Sequence, residues 1–326
     1  MGDTRPAMED VLTPDARDFL SQWHAPTPYV VAHTSGSTGI PKEIRLFKSD
    51  MKASALATNR FFGITDKSTL CLPLSPDYIA GKMMLVRAAE TGARIIVETP
   101  SRHPGASIPE GSEIDLLAIV PAQIHGLLEQ APRLRFHNVI IGGAPIAPDD
   151  EKRLLDARIP AFATYGMTET CSHVALRRIG TPSFEALPGF RFSADSRGCL
   201  VIETDTMSFR RLVTNDIVTL HSDTSFTWLG RFDNVVNSGG IKLFPETLER
   251  RLRSLDPGLE FYLTSRQSAR WGEELVMVVA ESDAIRGNRL LAAASEILPT
   301  RQRPKALVTI PEIPHTSTGK LLRHRF

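Results

Sequence analysis

Cysteine is scarce in this chain. The three that occur, Cys71, Cys171 and Cys199, are odd in number and widely spaced. They indicate neither a disulfide framework nor a zinc knuckle. The nine histidines are scattered and form no zinc-protease pair. An excess of one charge is also missing. With 38 basic and 37 acidic side chains the net charge is +1, so no general field draws the protein to nucleic acid or to an anionic membrane. No apolar run approaches the roughly 20 residues of a bilayer-spanning helix. Met1–Asp18 is polar, without a signal-peptide core. Pro6 stands where a myristoylation signal places Ser or Thr. Internal repeats and low-complexity tracts are absent. The expectation is a reducing, cytoplasmic setting with no nucleic-acid partner and no membrane insertion.

What is present is a chain of 326 residues, 42% hydrophobic, enough for one large domain and a smaller one. Its most informative stretch is His33-Thr34-Ser35-Gly36-Ser37-Thr38-Gly39-Ile40-Pro41-Lys42-Glu43, which follows the apolar run Tyr29-Val30-Val31-Ala32. Hydroxyls and exposed backbone N–H groups donate hydrogen bonds, and glycine lets a backbone approach an anion closely. Such a loop suits a polyphosphate. It departs from the P-loop pattern, because Gly36 and Gly39 are three apart and Pro41 precedes Lys42. Pro41 disfavours helical geometry at Ile40. A loop between strands is therefore expected, not a helix N-terminus. The alternative is a flexible Ser/Thr/Gly linker, which needs neither the lysine nor the flanking strands.

Short apolar runs alternate with helical patterns over the first two-thirds. Strands are predicted at Tyr29–His33, Leu70–Leu74, Ala93–Glu98, Asp115–Val120, Val139–Ile141 and Ala161–Tyr165. Helices are predicted near Ser49–Asn59, Gly81–Glu90, Pro121–Ala131 and Asp149–Ala157. The alternation implies an α/β fold: a large N-terminal domain with a mostly parallel, helix-covered sheet. From about Gly180 shorter strands suggest a small β-rich subdomain. After Arg231-Phe232-Asp233 a small α+β domain begins, with Pro245 at a helix start, strands Phe261–Thr264, Leu275–Ala280 and Ala306–Ile310, and helix Ala284–Ile297. The expected division is 1–232 and 233–326. Ligands in such sheets bind beyond the carboxyl ends of strands. The glycine loop, Gly142-Gly143 and Gly166 all follow predicted strands there.

Further segments carry polar chemistry. Ile141-Gly142-Gly143-Ala144-Pro145 ends a strand in a way that admits a flat ring. In Tyr165-Gly166-Met167-Thr168-Glu169-Thr170, Tyr165 suits stacking on a base and Glu169 suits Mg²⁺, which prefers carboxylate and phosphate oxygens. Thr214-Asn215-Asp216 offers a carboxylate to ribose hydroxyls. Gly230-Arg231-Phe232-Asp233, Ser238-Gly239-Gly240-Ile241-Lys242 and Thr316-Ser317-Thr318-Gly319-Lys320 complete the series. Each also has an ordinary reading: a core tyrosine, a solvated glutamate, an Asx turn, a salt-bridged loop, a frayed basic tail.

Taken in order, these motifs resemble those of the acyl-adenylate-forming superfamily of acyl- and aryl-CoA synthetases, over roughly residues 30–326. The resemblance implies ATP, Mg²⁺ and CoA as cofactors. It implies that Thr34, Ser35, Gly36, Ser37, Thr38, Gly39 and Lys42 hold the β- and γ-phosphates. Gly142, Gly143 and Ala144 would lie beside the adenine, Tyr165 would stack on it, and Gly166 would belong to the same cofactor-binding site. Thr168 would contact the α-phosphate and Glu169 would bind Mg²⁺, with Lys320 as the catalytic lysine. Asp216 and Arg231 match ribose contacts, and Asp233 the hinge to a mobile C-terminal lid. Gly239 and Gly240 match the loop lining the thiol's tunnel.

Only 33 residues precede Thr34, fewer than in full-length members, so the chain reads as a shortened one. With Tyr78-Ile79-Ala80-Gly81-Lys82-Met83-Met84 it is similar to the short o-succinylbenzoate–CoA ligases of menaquinone biosynthesis. That resemblance implies an aromatic or dicarboxylic acid substrate, with Lys82 or Arg87 pairing with the carboxylate that does not react. The opposing reading puts both cations on the solvent face of their helix. The other functions allowed are transfer to a carrier-protein phosphopantetheine and a non-catalytic nucleotide-binding relative. A homodimer is the assembly allowed for.

Overall fold

In the computed structural model, residues 12–34, 42–315 and 321–326 are described. The first helix, α1 (Pro14–His24), is one that the reading of the sequence left out. Thr13 caps it, Pro14 opens it, and Ala16, Phe19, Leu20 and Trp23 form its buried stripe. The strands β1 (Tyr29–Thr34) and β2 (Lys42–Phe47) pair antiparallel as a hairpin. Residues 35–41, the heart of the glycine loop, lie outside the described residues.

Next come α2 (Lys48–Phe62), β3 (Thr69–Leu72), α3 (Ile79–Thr91), β4 (Arg94–Val97), β5 (Glu113–Ile114), β6 (Leu116–Ile119), α4 (Ile124–Gln130), β7 (Arg135–Phe136), β8 (Val139–Ile141), α5 (Pro148–Asp156) and β9 (Ala161–Gly166). Strands β4, β3, β6, β8 and β9 lie side by side and parallel. Alternation along β3 shows why both faces are covered. Leu70 and Leu72 enter one core with α1, α2 and α3, whereas Cys71 enters a second with α4 and α5. Met83, Met84, Leu85 and Val86 are all buried on α3. A helix apolar on every side is one enclosed between layers, and Arg87 shares that burial.

The strands β10 (His173–Arg178), β11 (Phe184–Ala186), β12 (Phe190–Ala194), β13 (Cys199–Thr204), β14 (Arg211–Ser222) and β15 (Ser225–Arg231) follow. They are not a sheet apart. Strand β10 pairs antiparallel with β9, and the chain continues one eleven-stranded mixed sheet, β12-β13-β14-β15-β11-β10-β9-β8-β6-β3-β4. The expected β-rich subdomain is thus the antiparallel half of the main sheet. Asp50, buried on α2, accepts from both the amide and the hydroxyl of Ser208 and ties the β13–β14 connection to the helix layer.

Beyond Asp233 lie β16 (Val236–Ser238), β17 (Ile241–Leu243), α6 (Pro245–Leu252), β18 (Phe261–Ser268), β19 (Gly272–Ala280), α7 (Ala284–Ile297) and β20 (Leu307–Ile310). They form a separate five-stranded sheet with its own core under α6 and α7. Residues 321–326 run along β18. The Phe326 amide donates to the Ser265 carbonyl at 3.0 Å, and the Gln267 amide to the Phe326 carbonyl at 2.9 Å. Arg323 makes a two-pronged ion pair with Glu249, which is 1% exposed. Residues 321–326 are thereby anchored. Among the described residues no helix is long and apolar enough to cross a membrane.

Breaking a buried ion pair strands the other charge and typically costs 3–5 kcal/mol. Glu249→Ala is therefore expected to destabilise the chain by about 3 kcal/mol. The measurement is urea unfolding followed by circular dichroism, and an unchanged midpoint would contradict the anchoring role.

Candidate active site

The parallel strands deliver β8 and β9 to one edge of the sheet. There β8 runs into Gly142-Gly143-Ala144, and β9 into a tight turn. The backbone crowds at this edge. A side-chain carbon on Gly142 would lie 2.6 Å from the Thr164 hydroxyl, and one on Gly166 2.3 Å from the Ser172 carbonyl. These two glycines serve packing between strand ends as well as any ligand. Gly143 and Ala144 are exposed and remain open to one.

The turn after β9 is a single 3₁₀ coil, Thr168–Thr170. Thr170 holds it. Its hydroxyl accepts from the Met167 amide at 3.0 Å and lies 2.7 Å from the Ser172 carbonyl oxygen. Cys171 then takes φ 61° with ψ −37°, a positive-φ conformation unusual for a residue other than glycine. The coil is thereby set with Thr168 half-exposed and Glu169 exposed. Among the described residues the Glu169 carboxylate has no ion pair or hydrogen bond, and no cluster of three or more ligating side chains occurs. One free carboxylate is what Mg²⁺ takes when phosphate oxygens and waters complete its shell. The residues fit that ion.

Beside the turn, Tyr165 donates its hydroxyl to Asp216 Oδ2 at 2.8 Å. Asp216 comes from β14 and is 7% exposed. Trp228 Nε1 donates to its other oxygen at 3.1 Å, and Arg231 Nη1 lies 3.9 Å away. Burial, then the charge of Asp216, pushes the Tyr165 phenol far above its usual range, so it stays a donor at any working pH. Its ring packs edge-on to Phe184 and Phe226, with centroids 5.8 and 5.1 Å away. Tyr165, Asp216 and Arg231, far apart in sequence, thus form one cluster. Trp228 belongs to it and escaped the sequence reading. Its signal was an indole three residues before Arg231, but the register that aims it at Asp216 passes through a bulge in the β14–β15 pair.

Asp233 lies just beyond. Its carboxylate accepts from Asn215 Nδ2 at 3.3 Å and meets Arg231 Nη2 at 3.5 Å. In the second sheet, Gly239 and Gly240 make the turn between β16 and β17 with φ of 56° and 80°. Glycine meets a two-residue turn of this kind without strain. The Gly239 amide donates to the Trp271 carbonyl at 2.9 Å, and the Trp271 ring leaves no room for a side chain there.

The structure separates the two cations of α3. Lys82 turns to α1: its ammonium donates to the Pro76 carbonyl at 2.7 Å and sits 5.1 Å from the Phe19 ring centre. Arg87 is 1% exposed and reaches the turn that carries Glu169, donating to Ser172 Oγ at 2.8 Å. Its Nε has no partner, and among the described residues no carboxylate pairs with it. Burial pushes the guanidinium down to about 9, so it stays charged at neutral pH. The adjacent His173 is buried and hydrogen-bonds Thr58 at 3.1 Å. Burial, then the charge of Arg87, drives its pKa well below normal and keeps it neutral. Ser172, His173 and Thr58 carried no motif and were missed. Lys320 and residues 35–41 lie outside the described residues, as do the side chains of Thr34 and Lys42.

Comparison with known proteins places the chain in a family. The chain is similar to the 2-succinylbenzoate–CoA ligase of Enterococcus faecalis, 24% identical over 91% of this chain and 68% of the relative. Its fold is similar to that of an acyl-CoA synthetase (AMP-forming)/AMP-acid ligase II-like protein from Dyadobacter fermentans. That match is 33% identical with a TM-score of 0.64, over 94% of this chain and 91% of the other. The fold is also similar to that of the o-succinylbenzoate CoA synthetase of Bacillus subtilis, solved with its acyl-adenylate intermediate. There the TM-score is 0.76 at 20% identity, over 90% of this chain and 67% of that one. Residues 5–200 match the family model described as AMP-binding enzyme; with well over half of its length matched, the chain belongs to that family.

Proposed function

We propose that the chain activates an aromatic dicarboxylic acid of the 2-succinylbenzoate type as its adenylate and passes the acyl group to CoA. The observation that carries the acid class is Arg87. A buried guanidinium without a carboxylate partner is costly unless an anion meets it. It stands at the turn that presents Glu169. An acid with one carboxylate to react and a second to bind would supply that anion. The relatives that act on 2-succinylbenzoate support the same class.

The chemistry follows from leaving groups. A carboxylate is a poor acyl donor because oxide would have to leave. Its oxygen attacks the α-phosphorus of ATP, pyrophosphate departs, and a mixed anhydride with AMP results. A thiol then attacks the acyl carbon, the acyl–oxygen bond breaks, and AMP leaves. In this reading Asp216 and Arg231 hold the ribose. Asp216 has lone pairs to spare beyond Tyr165 and Trp228. Thr168 and Lys320 donate to the charge that builds at the α-phosphate. Mg²⁺ held by Glu169 supplies charge neutralisation at the phosphates. Thr34–Gly39 and Lys42 receive the pyrophosphate. Residues 233–326 act as a lid that turns at Asp233, withdraws Lys320 and brings Gly239-Gly240 to the site, keeping the anhydride from water.

Arg87→Met keeps the volume and removes the charge. It should raise KM for the dicarboxylic acid about 100-fold, the weight of a buried charged hydrogen bond. KM for ATP should hold, and the preference over the aromatic monocarboxylic acid should vanish. An unchanged preference would refute the acid class. Lys320→Ala should lower acid-dependent ATP–pyrophosphate exchange by about 10²–10³ and spare thioester formation from supplied adenylate. Equal loss of both steps would contradict its role.

A further inference from the structure

The geometry points to Arg325 as a positioning residue that anchors the lid side of Asp233 and so confines the lid's turn to one backbone torsion. The inference rests on the reading of Asp233 as the hinge. Asp233 is grasped twice. From the large domain, Asn215 and Arg231 hold its carboxylate. From the lid, Arg325 Nη2 donates to its carbonyl oxygen at 2.7 Å and reaches the Val235 carbonyl at 3.3 Å.

Arg325 is itself fixed to the lid. Its Nη1 donates to Glu273 Oε1 at 2.9 Å, and the other Glu273 oxygen accepts from the Asn237 amide at 2.7 Å. The backbone around it is pinned to β18 through Phe326 and through the Arg323–Glu249 pair.

The peptide joining Asp233 to Asn234 is planar and moves as a unit. With its carbonyl held by the lid and the Asp233 carboxylate held by the large domain, three rotatable bonds separate the grasps. Two, Cβ–Cγ and Cα–Cβ, belong to the side chain. The third is Cα–C, whose rotation is ψ of Asp233, and only that one lies in the main chain. A cavity of about 370 Å³ beside it, lined by Phe232, Asp233, Val235, Asn237 and Arg325 among others, gives the turn room. Ties that a turn must release cross the same junction: the Thr247 hydroxyl donates to the Leu229 carbonyl at 2.6 Å, and the Arg231 amide to Glu246 at 3.4 Å. Without Arg325 the peptide after Asp233 is loose, and the turn spreads over residues 234 and 235.

The test compares Arg325→Ala, Arg325→Lys and Asp233→Ala in the full chain. Adenylation is followed by pyrophosphate exchange, thioester formation by CoA-dependent AMP release, and backbone opening by hydrogen exchange. Arg325→Ala should keep wild-type KM values for ATP and acid in the exchange assay. Thioester turnover should fall, and exchange at amides 234–237 should rise, each about five-fold. Protection of β18 and β19 should hold, and Arg325→Lys should recover part of both changes. Wild-type turnover and exchange in Arg325→Ala would overturn the inference, as would loss of both half-reactions together with protection across the lid. If Asp233→Ala shifts the balance of half-reactions and Arg325→Ala does not, the clasp alone fails. If neither shifts it, the hinge reading fails with it.

Discussion

At the end of β9 the chain reverses within a few residues and returns as β10, and the site is organised around that reversal. Thr170 ties the coil to the backbone on either side of it, and Cys171 completes it in a sparsely populated positive-φ conformation that costs about 1–3 kcal/mol. Arg87 braces it from below through Ser172. The sheet changes from parallel to antiparallel at this point. Only because β10 runs back can β11 and β15 follow, and β14 bring Asp216 to Tyr165. The same coil turns Glu169 outward. A looser connection would leave sheet topology, Glu169 and the Tyr165–Asp216 cluster without a common reference.

The parallel half was legible because its strands are apolar runs between turn residues, and Gly63, Gly92 and Pro148 mark helix ends. Helix α1 carried such signals too, with Thr13-Pro14 at its start and apolar residues at Ala16, Phe19, Leu20 and Trp23. The reading passed over them because the surrounding segment is polar. The antiparallel half was less legible. Whether β13 and β14 extend the main sheet depends on pairing between distant strands, which local pattern does not encode. Site residues divide in the same way. Tyr165, Asp216 and Arg231 stood in motifs, whereas Trp228 joins them through register. Lys82 and Arg87 look like a pair in sequence, yet five residues along a helix turn a side chain by about 140°.

Buried charge appears at two distant places with opposite resolutions. In the lid, Glu249 and Arg323 satisfy each other and hold a segment to its sheet. In the large domain, Arg87 has a hydroxyl and no counter-ion among the described residues. The first arrangement is complete in the chain alone. The second leaves an electrostatic debt, and a substrate is the natural place for it to be settled. The distinction is what supports the proposal that Arg87 binds an anion, without appeal to any motif.

The three tryptophans fall in three different settings. Trp23 is buried on α1, Trp228 is hydrogen-bonded to Asp216, and Trp271 is exposed against the Gly239 turn. Each indole therefore senses a different dielectric and a different neighbour. On the proposed function, Trp228 shares its carboxylate with the ribose, and Trp271 would move with the lid. The protein would then carry its own optical labels: one for nucleotide occupancy, one for lid orientation, and one in the core as an internal standard.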